Sequence, residues 1–400
     1  MKKRRVRFSL SSWWTALSSL IIAAFGIGLL LFAGLDSHIA GYSEAEVQSA
    51  YEARSLSAIA ADPINAPHKL TAWAFAKVVD DPVLAGRLAS AAFGSAAIIF
   101  LYIATRMWHG KRVAFLATLL FATSSWFLFT ARAGTPDISA TLAILTLALS
   151  GYWMRVHYKN LWSYVAVVAA LALVVYVPGM IWLVVLALAV RGAKELRGTL
   201  SSLPRWNLVV LLGLLTLFVA LPIAIAIIRD PQVLLSLLGL PEALPSITQM
   251  LRNIFDAGAA LVAWHGNNSA LAVGYLPIMD AISVVLAVLG VYYYWQKRRL
   301  DRTKLLVGAL GVSLVLLALG VVSGFAMLLP VMFFLIAGGL AALLGRWLTV
   351  FPRNPLARSV GIIAIAVLVG FACFYNLRAY FVAAPHANNI QSIYNQGEDL

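Results

Sequence analysis

The sequence predicts an all-α polytopic membrane protein with about eleven transmembrane helices. Of its 400 residues, 62% are hydrophobic and only 12% are charged, whereas soluble domains have about 25% charged residues. The apolar residues form runs long enough to cross the hydrocarbon layer, which takes about 20 such residues in a helix. The charged residues lie mostly between these runs. Together these features exclude a water-soluble globular protein and a disordered one.

The predicted spans follow one another through a single transmembrane domain, 1–400. The fifth and sixth are separated only by Pro178 and Gly179, so one kinked or re-entrant element would also explain them. The only cysteine, Cys373, lies in the last run and supports neither a disulfide nor a cysteine-based metal site. The spans lie near 12–34, 88–106, 113–130, 137–154, 161–177, 179–190, 207–228, 278–295, 305–323, 327–344 and 359–376.

The basic residues predict the orientation of these spans. Lys or Arg occupies most of the first seven positions, and alternate connections are also basic, from Arg106 and Arg112 to Arg353 and Arg358. Cytoplasmic loops are enriched in Lys and Arg. The N-terminus is therefore predicted in the cytoplasm and the C-terminus outside the plasma membrane. The net charge of +14 then reflects topology, and without a nucleic-acid motif it predicts membrane lipid rather than nucleic acid as a partner.

The outer connections are long and varied, while the cytoplasmic ones are short and basic. They comprise a first loop at 36–87, a second at 229–277 and a C-terminal tail at 376–400. Long loops in compact proteins usually carry function. We therefore expect the chemistry of this protein on the outer face.

The first outer loop is predicted to contain two short amphipathic helices in the membrane interface. The first, 44–60, begins with a capping-box pattern in which Ser43 caps the helix and Glu46 reciprocates. The second, 69–79, would turn its aromatic residues toward lipid and its lysines toward headgroups. Such helices would cover an outward-facing cavity.

Several short segments occur in an order that is typical of one family. The segments are Glu44-Ala45-Glu46 with Ala53-Arg54, Pro67-His68-Lys69-Leu70 with Trp73, Gly86-Arg87-Leu88, Ala131-Arg132-Ala133-Gly134-Thr135-Pro136-Asp137, Trp264-His265-Gly266-Asn267-Asn268, Gly274-Tyr275-Leu276-Pro277, Leu328-Leu329-Pro330, and Tyr380-Phe381 with Tyr394. This order resembles the GT-C polytopic membrane glycosyltransferases of family 39, the protein mannosyltransferase and aminoarabinose-transferase type. Where that family usually has an Asp-Glu pair, this chain has Ala45-Glu46.

The resemblance implies a GT-C-like fold and an inverting glycosyltransferase. Such an enzyme moves a hexosyl or pentosyl sugar from a polyprenyl-phosphate carrier to a hydroxyl of a protein, lipid or glycan at the outer face. A carboxylate must take the proton of the hydroxyl, and cations must match the charge of the leaving phosphate. Glu46 or Glu44 would be the base. Arg54, Lys69 and Arg132 would bind the donor phosphate, Asp137 would orient the site, and the acceptor pocket would include His265, Asn267 and Asn268.

Each of these residues also has a structural explanation. Glu44 and Glu46 could simply favour a helix start. Arg54 could snorkel to lipid headgroups, and Lys69 could anchor the chain at the interface. Arg132 and Asp137 could form an ion pair that connects the third and fourth spans. The polar residues near His265 could be an ordinary loop. No cofactor is predicted with certainty: a divalent metal bound by His68, His265 and Glu46 is conceivable, but no spacing supports it.

A second class of function is a lipid-linked sugar transporter or flippase, or a catalytically degenerate relative of the GT-C enzymes. Transporters usually carry ionisable residues in the middle of the membrane and contain internal repeats. In this sequence the charges lie at the ends of the spans and no repeat is visible, which favours the enzyme. The lack of an elaborate outer domain favours a bacterial plasma membrane.

Overall fold

The structure, a computed structural model, describes residues 10–157, 160–201, 205–241, 243–263, 271–321 and 323–395. Within these ranges the chain is helical and contains no strand. The α-helices are α1 Leu10–Phe32, α2 Glu44–Glu52, α3 Leu56–Ala61, α4 Ala66–Phe75, α5 Pro82–His109, α6 Lys111–Thr123, α7 Ser125–Arg132, α8 Ile138–Val156, α9 Leu161–Val175, α10 Ile181–Ser201, α11 Arg205–Leu215, α12 Leu221–Arg229, α13 Gln232–Leu238, α14 Ile247–Val262, α15 Ala281–Gln296, α16 Asp301–Ala318, α17 Ser323–Val350, α18 Pro355–Arg378 and α19 Asn388–Tyr394.

Each predicted apolar run coincides with a helix, which confirms the all-α polytopic class. By length and composition, four helices of the described chain can each cross a membrane, or five if one bent pair is counted as a span. The four are Pro82–His109, Trp206–Arg229, Ser323–Val350 and Pro355–His386. Further apolar helices are shorter, so the number of eleven spans stays a prediction.

Two long helices organise the interior. The apolar stretch of α17 is mostly buried inside the bundle, where α17 packs against α15, α16, α8 and α6. Helix α5 packs against α4, α6, α7 and α8. Because α5 also carries Arg87, this packing fixes the backbone at Arg87 relative to the other helices of the bundle.

The third predicted span is bent. Helices α6 and α7 meet at Ser124 with an angle of 61°. Asn376 stabilises the bend, because its Oδ1 accepts hydrogen bonds from the backbone N–H and the hydroxyl of Ser125, both at 3.2 Å. Asn376 Nδ2 in turn donates to Asp280 Oδ2 at 2.9 Å. The bend directs α7, which ends at Arg132, toward the base of the first outer loop.

The region of Pro178 and Gly179 separates two distinct helices, α9 and α10. Gly179 adopts a φ of +74°, which only glycine adopts without strain. Its backbone N–H donates to the carbonyl of Leu237 at 2.9 Å. The fifth and sixth apolar runs are therefore joined by a tight turn rather than by a continuous kinked helix.

The first outer loop contains three helices instead of the two predicted. The capping box of Ser43 and Glu46 is present at the start of α2, but the predicted helix 44–60 breaks after Glu52. The predicted helix 69–79 begins earlier, at Ala66, and ends at Phe75. It begins there because Asn65 takes a left-handed conformation and Pro67 occupies the first turn.

The aromatic residues of α4 face protein as well as the surface. Trp73 packs against Ile59 and Tyr176, and Phe75 packs against a cluster that includes Ala53. The predicted orientation with these rings toward lipid is therefore corrected. The helices pack on the ends of the bundle because an amphipathic face gains more from burial against protein than from a shallow interface.

The C-terminal tail returns to the first loop. After α18 the chain forms one π-helical turn at Ala379–Ala383 and then α19. Asn389 of α19 bonds to the backbone near Gly274. At Gly41 a Cβ atom would meet the carbonyl of Tyr394. The tail and the first loop therefore enclose the space between them.

Candidate active site

Glu46 lies at the centre of a buried polar cluster. Its side chain is fully inside the protein, with a residue exposure of 1%. Oε1 accepts hydrogen bonds from Arg87 Nε at 2.9 Å and from the Gly134 backbone N–H at 2.7 Å. Oε2 accepts from Arg87 Nη2 at 2.9 Å and from the Ser43 backbone N–H at 3.2 Å. Both carboxylate oxygens therefore have two partners each.

Arg87 connects the start of α5 to the first loop. Besides the two-point ion pair with Glu46, its guanidinium donates to the carbonyls of Leu35 at 2.9 Å and Gly41 at 3.0 Å. The rings of Tyr42 and Tyr394 lie within 6 Å of it. In this buried bidentate pair each guanidinium nitrogen donates at least one hydrogen bond, so removing either partner would leave an uncompensated charge inside the protein.

Arg132, at the end of α7, holds the outer end of α1. Its Nη1 donates to Leu30 O at 2.7 Å, and Nη2 donates to the carbonyls of Ala33 at 2.8 Å and Gly34 at 3.2 Å. Nε donates to the Tyr380 hydroxyl at 3.1 Å. The guanidinium thus satisfies carbonyls that the end of a helix leaves open.

The predicted ion pair between Arg132 and Asp137 is not formed. Asp137 Oδ2 instead accepts a hydrogen bond from Thr135 Oγ1 at 3.0 Å. Burial raises the pKa of the Asp137 carboxyl, and the Thr135 hydroxyl only partly opposes this. Arg132 prefers the α1 carbonyls because the bend of α7 points its side chain toward α1, away from the start of α8.

Two arginines and two tyrosines enclose a small cavity between the first loop and the tail. Its volume of about 10 Å³ is close to the smallest that holds one water molecule. Burial raises the pKa of Tyr394, and the negative charge of Glu46 adds to that rise. The cavity is lined by Leu35, His38, Ile39, Arg87, Arg132, Tyr380 and Tyr394.

A second charged cluster surrounds Lys69 of α4. Its ammonium group is buried, with 2% of the side chain exposed. Nζ lies 3.0 Å from Glu52 Oε2 and 2.6 Å from Asp62 Oδ2, and it also donates to the Asp62 carbonyl at 3.2 Å. Both carboxylates are partly exposed, so solvent reaches this cluster at Glu52 and Asp62.

His68 links the two clusters. The Ser90 hydroxyl donates its only proton to the Thr135 carbonyl at 3.0 Å. Ser90 Oγ therefore accepts a hydrogen bond from His68 Nε2, which lies 2.9 Å away. His68 is then the neutral tautomer with its proton on Nε2, and its Nδ1 has no partner in the described chain. Burial lowers the pKa of His68 to about 4, and the adjacent Lys69 charge contributes. The hydrogen-bonded path ends at Thr135, beside Gly134 and Asp137.

This buried histidine predicts a loss of stability in mild acid. In the unfolded chain His68 takes up a proton below pH 6.5, whereas in the folded chain it stays neutral down to about pH 4. Because the unfolded state binds more protons in this window, we expect the free energy of unfolding to fall as pH drops from 6.5 to 4, by about 3 kcal/mol. Unfolding by thermal melts in detergent at stepped pH measures this.

The matched control for this prediction is His386, which is exposed. His68→Gln is expected to flatten the pH dependence between 6.5 and 4, while His386→Gln keeps the wild-type slope. A wild-type slope in His68→Gln would show that other groups cause the acid sensitivity.

The remaining predicted site residues lie outside both clusters. Arg54 is exposed and its guanidinium stacks on the Tyr51 ring at 3.7 Å. Glu44 is exposed at the start of α2. The predicted acceptor residues His265, Asn267 and Asn268 lie outside the described residues. Within the described ranges, no group of three His, Cys, Asp or Glu side chains is arranged to hold a metal ion.

The ion-pair partners Arg87, Glu52 and Asp62 were not predicted from the sequence as site residues. From the sequence, Arg87 was noted only within the segment Gly86-Arg87-Leu88. Sequence spacing does not reveal the partner of Arg87, because Glu46 lies 41 positions earlier in the chain. The only local signal was the unusual arginine at the start of an apolar helix, where a charge needs a buried counter-ion.

Comparison with known proteins supports the resemblance. Residues 67–225 match the family model of dolichyl-phosphate-mannose-protein mannosyltransferases. The fold is similar to that of ArnT from Cupriavidus metallidurans bound to undecaprenyl phosphate, with a TM-score of 0.57 and 14% identity over 98% of this chain and 79% of that one. The apo state of the same protein gives a TM-score of 0.54 and 14% identity, covering 96% and 76%. A search of curated proteins finds no match. The chain is an all-α polytopic membrane protein with a fold similar to that of ArnT.

Proposed function

We propose that this protein is an inverting glycosyltransferase that moves a sugar from a polyprenyl-phosphate carrier to a hydroxyl acceptor at the outer face of a bacterial plasma membrane. The N-terminus lies in the cytoplasm in this proposal, as the distribution of basic residues predicts. The observation that carries the proposal is the buried Lys69 ammonium between two partly exposed carboxylates, at one end of a GT-C fold. A phosphate leaving group and a hydroxyl nucleophile need these two kinds of group together.

The donor assignment rests on the cations of the first loop and on the structural relative. Lys69 is buried behind the partly exposed carboxylates of Glu52 and Asp62, and a phosphate dianion could replace one of these carboxylates as its partner. Arg54 is exposed and suits a phosphate at the membrane surface. Arg132 already donates hydrogen bonds to backbone carbonyls. In this proposal it therefore acts on the donor through its positive charge and not through direct contact. ArnT of Cupriavidus metallidurans binds undecaprenyl phosphate, which supports a lipid of this class for this chain.

Glu44 is the better of the two proposed bases. It is exposed at the start of α2, so its carboxylate can reach an acceptor hydroxyl. Glu46 has no free carboxylate oxygen, since each accepts two hydrogen bonds. In this proposal Glu46 positions α2, Glu44 takes the proton, and Asp137 orients the wall of the site. His265, Asn267 and Asn268, which lie outside the described residues, are kept from the sequence as the proposed acceptor-pocket residues.

The test is sugar transfer from undecaprenyl-phosphate-linked sugars in membranes that contain the full chain. Glu44→Gln is expected to lower transfer by about 100-fold or more, since a positioned base contributes about that much. Lys69→Met is expected to weaken donor use by at least tenfold, through the loss of a charge-assisted contact. The matched control is Lys77→Met, which changes an exposed lysine of the same loop. Wild-type transfer in both Glu44→Gln and Lys69→Met would refute these assignments.

One observation favours a second candidate, a catalytically degenerate relative that binds the carrier without transferring sugar. Ala45 is exposed and stands where the resembling family has its first acidic residue. In that case the wild-type chain would retain undecaprenyl phosphate but transfer no sugar, and Lys69→Met would reduce retention. Transfer by the wild type that Glu44→Gln abolishes would exclude this candidate.

A further inference from the structure

An open apolar groove runs between α1 and α18 at the end of the bundle that carries the first loop. Its volume is about 630 Å³. Both helices pack on α6, and the space between them is left open. One wall is Leu29 and Leu30 of α1, and the other is Phe374 and Leu377 of α18 with Phe381 and Val382 of the π-helical turn.

The shape of this groove depends on the π-helical turn. An inserted residue widens the helix at Ala379–Ala383, and this turn brings Phe381 and Val382 to the groove. Phe374 and Val382 stay largely exposed, at 65% and 57%. In a chain that spans a membrane, such a concave apolar surface is filled by hydrocarbon chains.

The end of the groove next to the first loop is positively charged. Arg378 lines the groove, is exposed, and makes no hydrogen bond or ion pair within the described ranges. Arg132 lies behind the same wall: it donates to the Leu30 carbonyl, and its guanidinium is 5.3 Å from the Phe381 ring. Among the described residues Arg132 has no carboxylate partner either. One end of the apolar groove therefore carries the exposed charge of Arg378, with the buried charge of Arg132 behind its wall.

We propose that this groove binds an anionic phospholipid, with one acyl chain along the apolar walls and the phosphate held by Arg378. An arginine fork matches phosphate oxygens with two parallel hydrogen bonds, and its position at the last turn of α18 places it at headgroup depth. The open, shallow walls suit a bilayer lipid that enters sideways. This site is separate from Lys69, so it goes beyond the proposed transfer of a carrier-linked sugar.

The bound lipid would stabilise the candidate active site from outside. Leu30 lines the groove and its carbonyl is a hydrogen-bond partner of Arg132, while Tyr380 in the adjoining wall accepts from Arg132 Nε. Filling the groove would therefore fix the outer ends of α1 and α18, and the segments that follow these ends line the small cavity at Arg87 and Arg132.

The experiment is native mass spectrometry of the full chain in detergent with added phosphatidylglycerol, and it needs no sugar donor. Arg378→Gln is expected to weaken binding about tenfold, the effect of losing one charge-assisted contact. Arg358→Gln, at the opposite end of the same helix, is the charge-matched control and is expected to bind as the wild type does. Val382→Trp, which fills the groove, is expected to reduce binding. Leu368→Trp, on α18 but not among the groove residues, is expected to bind as the wild type does.

Three outcomes would overturn the proposal. Equal binding of phosphatidylglycerol by Arg378→Gln and Arg358→Gln would remove the headgroup assignment. Unchanged binding by Val382→Trp would place the acyl chain elsewhere. Displacement of phosphatidylglycerol from the wild type, but not from Arg378→Gln, by undecaprenyl phosphate would assign the groove to the carrier lipid. None of these results depends on whether the chain transfers sugar.

Discussion

Replacing Glu46 by glutamine is expected to lower the free energy of unfolding by about 3–5 kcal/mol, the cost of removing one partner from a buried ion pair. Arg87 would keep its positive charge in the protein interior without a counter-ion, because the carbonyls of Leu35 and Gly41 and the new amide oxygen are all neutral acceptors. A glutamine amide has only one acceptor oxygen, so it cannot replace both carboxylate oxygens, which together accept four hydrogen bonds. Thermal unfolding in detergent, followed by intrinsic fluorescence, measures the effect.

The control for this prediction is Glu44→Gln, an equal charge change two positions away on an exposed residue, where we expect a change within about 0.5 kcal/mol. The double variant Glu46→Gln/Arg87→Met is expected to lose less than the sum of the two single changes, since it leaves no unpaired charge. A Glu46→Gln protein that is as stable as the wild type but inactive would mean that Glu46 is a base rather than a structural residue.

The fold was predictable because lipid restricts what can span a membrane. Backbone polar groups must be satisfied within each segment, so apolar runs of sufficient length become helices, and each predicted run contains one. The bend between α6 and α7 was not predictable. It occurs at Ser124 without proline or glycine, and it depends on Asn376, about 250 positions later in the chain.

The candidate site was predictable only where its signals are local. Ser43 and Glu46 are three positions apart, so their capping box could be recognised in the sequence. Arg132 instead donates to backbone carbonyls at the end of α1, about 100 positions earlier. Every residue has a backbone carbonyl, so the residue types in α1 do not reveal this contact. Lys69 was expected at the interface, yet α3 and α2 bring carboxylates to it from two sides. Pairings of this kind depend on how the loop folds back on α5.

Gly290→Ala is expected to destabilise the bundle, although alanine normally favours a helix over glycine by about 1 kcal/mol. Gly290 lies on α15 where this helix touches α17, and a Cβ atom there would overlap the backbone carbonyl of Leu335. A backbone atom cannot rotate away as a side chain does, so the helices must separate. Overpacking of this kind costs about 1–3 kcal/mol, enough to reverse the gain in propensity, and thermal unfolding in detergent measures it.

The same substitution at Gly311 of α16 provides the matched control. A Cβ atom at this position meets nothing within 4 Å, so Gly311→Ala is expected to leave stability unchanged or raise it by up to about 1 kcal/mol. The consequences of Gly290→Ala should reach the candidate site, because α15 begins next to Asp280, which holds Asn376 and through it the bend before α7. Equal melting temperatures for the two variants would show that α15 and α17 do not approach each other this closely.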